Sequence, residues 1–166
     1  SNMKQQIFNN TFKLLRIPFS FFLMPLFILA LSQSYINTFT SIVSFLIIHF
    51  LVYPASNGYN SYIDRDESSI GGLEKPPPPT IHLFYTTVIL DILAIILSYL
   101  FINILFAVCI FAYILASRAY SSKQVRLKKY PFLGFIVVVI FQGAFTYGMS
   151  VIGISDSVFV FSQPVV

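Results

Sequence analysis

Long apolar runs broken by short polar ones dominate this chain. A helix needs about 20 mainly apolar residues to cross the hydrocarbon core of a bilayer. The first such run follows Arg16 and covers residues 16–35, RIPFSFFLMPLFILALSQSY. Its Pro18 suits a first helical turn, and Pro25 is expected to kink the helix. The second, residues 39–57 (FTSIVSFLIIHFLVYPASN), leads straight into polar sequence. The apolar block from Ile81 to Ser117 is too long for one crossing. A break near Ser98-Tyr99 and Asn103 divides it into helices at 81–98 and 103–118. The fifth run is 131–153, PFLGFIVVVIFQGAFTYGMSVIG. The pattern predicts an all-α, polytopic transmembrane helix bundle of about five helices in one membrane domain, with a polar loop at 58–80 and a basic loop at 118–130.

Composition agrees with that pattern. The chain is 57% hydrophobic and only 10% charged, where a soluble domain carries about a quarter charged residues. The charges also orient the bundle. With a cytoplasmic amino terminus, the cytoplasmic segments hold Lys4, Lys13 and Arg16; Arg65 and Lys75; and Arg118, Lys123, Arg126, Lys128 and Lys129. Those are all 10 lysines and arginines. The opposite loops, SQSYINT and SYLFIN, hold none, as the positive-inside rule requires. The expectation is a multi-pass protein of a bacterial inner membrane, with its amino terminus and polar loops cytoplasmic and lipid around its helices. The net charge of +4 then follows from topology and calls for no nucleic-acid partner. Ser1-Asn2-Met3 reads as a protease-cleavage scar ahead of a start methionine, and no signal peptide is evident. Cys109, the single cysteine, reads as a small buried hydrophobe.

The most polar stretch, NGYNSYIDRDESSIGGLEKPPPP at 57–79, holds Asp64, Asp66, Glu67 and Glu74, four of the six acids. If the second helix continues beyond its apolar run, Asn57, Asn60, Asp64 and Glu67 or Ser68 fall on one face, with Asp66 elsewhere. Carboxylate and amide oxygens so arranged suit a hard cation such as Mg²⁺, which takes one or two carboxylates plus substrate phosphates. The plainer reading of the same residues is a solvated loop with capping asparagines. The prolines 76–79 read as a stiff extended connector.

In order along the chain, LLRIPFSFFLMP, NSYID, IGGLEKP and AYSSKQVRLKKYPFLG resemble the motifs of UbiA-type intramembrane prenyltransferases. The resemblance covers nearly all of the chain but only the amino-terminal half of the family's helical fold. It implies Mg²⁺-dependent transfer of a prenyl group from an isoprenyl diphosphate to a lipophilic, usually aromatic acceptor. Asn60 and Asp64 match the first asparagine and aspartate of the family's Asn-x-x-x-Asp-x-x-x-Asp motif and so become the candidate catalytic and metal-binding residues. The third motif position is Ser68, a departure for which Asp66 or Glu67 is the substitute, Glu67 having the better helical phase. From the basic loop, Arg126 and Lys128 are candidate clamps for the diphosphate, with Lys123 a further point charge.

Asp91, inside the third helix, is a functional candidate because a carboxylate there is costly. Thr86 and Thr87 lie near it, but no cation does at helical spacing, which favours a hydrogen-bonded or protonated structural role. His49 reads as a packed histidine, since no second histidine or cysteine lies at ligand spacing. The family's second acidic motif is missing: ISDSVFVFSQPVV follows the fifth helix with only Asp156 as an acid, on the opposite side. Truncation, pairing of two copies into a homo-oligomer that completes the cavity, or loss of catalysis would each account for that. The competing class is a non-catalytic helical membrane protein that binds a lipid diphosphate or a partner subunit.

Overall fold

The computed structural model describes residues 2–156; Ser1 and the stretch SVFVFSQPVV lie outside the described residues. Five helices are long and apolar enough to cross a membrane: the first at Asn2–Ser32, the second at Thr38–Asp64, the third at Ile81–Phe101, the fourth at Ile104–Ser121 and the fifth at Pro131–Ser155. Among the described residues the only β pairing is an isolated Ile70–Leu73 bridge in the polar loop. The chain is an all-helical, integral multi-pass membrane protein.

The second helix is the axis of the bundle. More than half of its most apolar stretch is buried (56%), against 33% or less for the other four. Its Ile47, Ile48, Val52 and Tyr53 join Phe27 and Ala30 of the first helix, Phe106, Ile110 and Tyr113 of the fourth, and Met149 and Ile152 of the fifth in one core. A smaller cluster of Leu14, Leu15 and Leu83 seals the other end of the bundle. Side chains of neighbouring helices press directly on the backbone at two helical glycines. A Cβ on Gly58 would lie 2.9 Å from Thr87 and 3.0 Å from Leu15, and one on Gly153 would lie 2.6 Å from Ser44 and 2.8 Å from Phe106.

Irregular turns in three of the helices have local causes. The first helix breaks at Arg16, whose φ of 46° is left-handed, and Pro18 then opens the next helical segment as its pyrrolidine geometry favours. The expected Pro25 kink is a 3-10 turn at Phe21–Leu23. Pro25 has no N–H for the Phe21 carbonyl, which takes its bond from the Met24 N–H instead. Pro54 likewise follows a π-helical stretch, Ile47–Val52, closed by the bond from the Tyr53 N–H to the Ile48 carbonyl. A second π-helical stretch, Val139–Phe145, interrupts the fifth helix, and the Thr146 hydroxyl donates to the Phe141 carbonyl there.

The two ends of the bundle differ in charge. At one end Asn37 N–H bonds the Ile154 carbonyl, Tyr147 meets Gln33, and Asn103 reaches Asp156. The basic residues gather at the other end, with Arg16, Arg118, Arg126 and Lys128 among the helix termini and polar loop. The helices outrun the apolar runs. The second reaches Asp64 rather than 57, the third Phe101, and the fourth Ser121. The polar loop is therefore 65–80 and the basic loop 122–130.

Candidate functional site

Seven residues beyond its apolar run, the second helix ends at Asp64. Arg65 caps it in the left-handed region (φ 52°) and lays its guanidinium over the Tyr62 ring. A carboxylate at a helix C-terminus faces the negative end of the macrodipole and needs cations. The basic loop supplies them. Lys128 Nζ donates to Asp64 Oδ2 at 2.5 Å and to Asn60 Oδ1 at 2.8 Å. Arg126 Nη2 reaches Asp64 Oδ1 at 3.4 Å, and Ser121 Oγ donates to Asn60 Oδ1 at 2.8 Å. Two segments more than 60 residues apart in sequence thus converge on the Asn-x-x-x-Asp pair.

The other predicted residues divide. Asn57 shares the face but faces the first helix, donating to the Leu15 and Arg16 carbonyls at 3.3 and 3.4 Å; it braces the break at Arg16. Glu67 does not share the helical phase assigned to it: the helix has already ended, and Glu67 is exposed. Asp66 is half-buried beyond the same cap, and Lys123 is exposed in the loop, outside these contacts.

Asp91 has a partner that helical spacing did not reveal. Arg118, near the end of the fourth helix, forms an ion pair with Asp91 Oδ2. The Arg118 guanidinium also stacks over Tyr59, 4.6 Å from the ring centroid. Thr86 and Thr87 instead bond to backbone carbonyls of their own helix. His49 is the packed residue the sequence implied. It is fully buried, bonds the Phe45 carbonyl through Nδ1 at 3.1 Å and stacks on the Phe45 ring.

Behind the Asn60–Lys128 contact lies a cavity of about 280 Å³ between the first, second, fourth and fifth helices. Phe19, Val137, Val138 and Phe141 give it apolar walls, and Asn57, Asn60, Ser117 and Ser121 a polar side. Arg16, Tyr113 and Gln142 also line it, and each has a buried polar atom without a partner: Nε, the hydroxyl and Oε1. Arg16 is 9% exposed and its Nη1 reaches only the Gly71 carbonyl, at 3.3 Å. Its guanidinium also stands over the Phe19 ring, 5.1 Å from the centroid, with the Asp66 carboxylate close enough to act on it, and its unpaired Nε gives the cavity a positive wall. The sequence signal for it was an arginine set directly against an apolar run.

Among the described residues, no group of three or more histidine, cysteine or acidic side chains could hold a metal ion. Two oxygens do converge on one cationic centre: Asn60 Oδ1 and Asp64 Oδ2 both receive the Lys128 ammonium. A metal held there by protein alone would be bound weakly, with most of its shell left to water or an incoming ligand. Locally, one carboxylate against an ammonium and a guanidinium leaves one positive charge, so the cluster favours an anion.

Comparison of the chain with protein-family models, curated proteins and solved structures returns no significant match.

Proposed function

We propose that this chain binds an isoprenyl diphosphate as a UbiA-type prenyltransferase does, for transfer of the prenyl group to a lipophilic, aromatic acceptor. The observation that carries the reading is the convergence of Arg126 and Lys128 on Asn60 and Asp64, with Asn60 itself lining a partly apolar cavity. Arg126 and Lys128 would clamp the phosphate oxygens, and the walls formed by Val137, Val138 and Phe141 would take the prenyl tail. Mg²⁺ held by Asn60 and Asp64 would supply Lewis-acid stabilisation of the leaving diphosphate. In the transfer the bond between the prenyl carbon and the diphosphate oxygen breaks, and its electron pair leaves with the diphosphate. The acceptor ring forms the new carbon–carbon bond and gives up a proton to the departing diphosphate or to water. The faces of Tyr113 and Phe141 would shelter the cationic carbon in between. The basic end of the bundle lies on the cytoplasmic side of a bacterial inner membrane by the positive-inside rule.

A second reading, binding without turnover, draws on the single acid in the cluster: among the described residues no second carboxylate joins Asp64 there. One experiment separates the two. Binding of radiolabelled geranyl diphosphate to the purified protein in detergent is measured with and without Mg²⁺, for the wild type and Asp64→Asn. An aromatic acceptor is then added and prenylated product sought. Binding that requires Mg²⁺ and Asp64, followed by product, is the expected result. Binding that requires Mg²⁺ and Asp64 but gives no product under any acceptor supports the non-catalytic reading at this site, and binding indifferent to Mg²⁺ and to Asp64→Asn rejects both.

A further inference from the structure

Lys128 stands where a bound cation would stand. Its Nζ lies 2.5 Å from Asp64 Oδ2 and 2.8 Å from Asn60 Oδ1, the two oxygens assigned to the metal, and its side chain is only 17% exposed. Arg126 holds the remaining carboxylate oxygen. A second cation cannot enter beside that ammonium without strong repulsion in a site screened from water.

We propose that Lys128 is an internal counter-ion, occupying the Asn60–Asp64 cation position until an anionic ligand draws it away. A divalent cation then enters only in company with the diphosphate. This rests on the prenyl-diphosphate reading for the ligand, but the counter-ion itself rests on geometry alone.

The surroundings of Lys128 suit an exchange by the side chain without movement of the backbone. Leu127–Lys129 is a single 3-10 turn entered through Arg126, whose φ of 41° is left-handed. The turn lies directly on the fifth helix at Gly134. A Cβ there would be 3.2 Å from both the Leu127 carbonyl oxygen and Lys128 Cα. The backbone is thereby held in place. The four-carbon stem of lysine, with three rotatable donors, can still pass its charge from a carboxylate to a nearby phosphate oxygen. Electrostatically the exchange conserves pairing. Asp64 gives up an ammonium for a divalent ion, and the ammonium gains a phosphate.

Mn²⁺ is the probe, its free concentration read from its EPR signal, with geranyl diphosphate binding measured in parallel on the same detergent-purified protein. Beyond what geranyl diphosphate itself binds in a protein-free control, wild type is expected to take up Mn²⁺ only when the diphosphate is present. Lys128→Gln and Lys128→Met should bind Mn²⁺ alone at least about tenfold more tightly than wild type, as removal of a like charge a few ångströms away requires. Both should bind geranyl diphosphate several-fold more weakly. Equal Mn²⁺ affinity of wild type and variants without the diphosphate overturns the exchange, whatever becomes of diphosphate binding. A gain in Mn²⁺ affinity in a protein that never binds geranyl diphosphate keeps the counter-ion and rejects the substrate reading alone. Should neither variant remain folded by circular dichroism, wild type decides: tight uptake of Mn²⁺ alone sinks the proposal, and protein-bound Mn²⁺ that appears only with the diphosphate, in excess of the protein-free control, sustains it.

Discussion

Asp91 and Arg118 show what a charge within the apolar part of a bundle requires. Their side chains are 13% and 18% exposed, so neither is well hydrated. Each is tolerable because of the other, with the Tyr59 ring adding a cation–π contact to the guanidinium. Removing one partner leaves an uncompensated charge, whereas replacing both by apolar residues of similar volume is close to neutral. Asp91→Leu should therefore destabilise the protein by about 3–5 kcal/mol, and Asp91→Leu with Arg118→Leu should recover most of that loss. With no tryptophan in the chain, the comparison is made by loss of far-UV circular dichroism on heating in detergent. A double variant as unstable as the single one would assign the pair a role beyond mutual neutralisation.

At the scale of helices, the bundle is fastened where neighbouring side chains press on a glycine backbone and loose where nothing does. Gly153 lies against Ser44 and Phe106 too closely for a Cβ, whereas nothing lies within 4 Å of the Cβ position of Gly143. Gly153→Ala should cost about 1–3 kcal/mol by forcing the second, fourth and fifth helices apart. Gly143→Ala should be neutral or gain up to about 1 kcal/mol from helix propensity. Thermal midpoints of the two variants test this directly, and a loss at Gly143 equal to that at Gly153 would contradict it. The number and type of these helices were legible because long apolar runs between basic loops leave few other structures. Their ends were less so. Residues 58–64 are polar enough to read as loop, yet packing of Gly58 against Leu15, Leu83 and Thr87 carries the helix on to Asp64. The same limit governed the site. Asn60 and Asp64 were visible together because four residues make one helical turn. Glu67 was misplaced because the left-handed Arg65 stops the helix that gave it its phase. The Asp91–Arg118 pair joins different helices, and no periodicity along one helix reports on that.

For the whole molecule, the asymmetry of charge between the two ends makes the orientation testable without any ligand. At one end lie Arg16, Arg126 and Lys128 around the candidate site; at the other, the SQSYINT and SYLFIN turns with Asp156 as the charged group among the described residues. Lysines and arginines flanking membrane helices are retained on the cytoplasmic side, so the candidate site should open to the cytoplasm. The single cysteine, half-buried Cys109 in the fourth helix, can be replaced by alanine to give a thiol-free background. Lys123→Cys then marks the exposed basic loop, and Ser32→Cys the exposed end of the first helix at the opposite face. A membrane-impermeant maleimide applied to spheroplasts should label Ser32→Cys and spare Lys123→Cys, and inverted vesicles should show the reverse. Both thiols reacting from the same side would contradict an odd number of crossings between them. The reversed pattern would keep the five-helix bundle but place Asp64, Arg126 and Lys128 on the external face, against the proposed use of a cytoplasmic diphosphate.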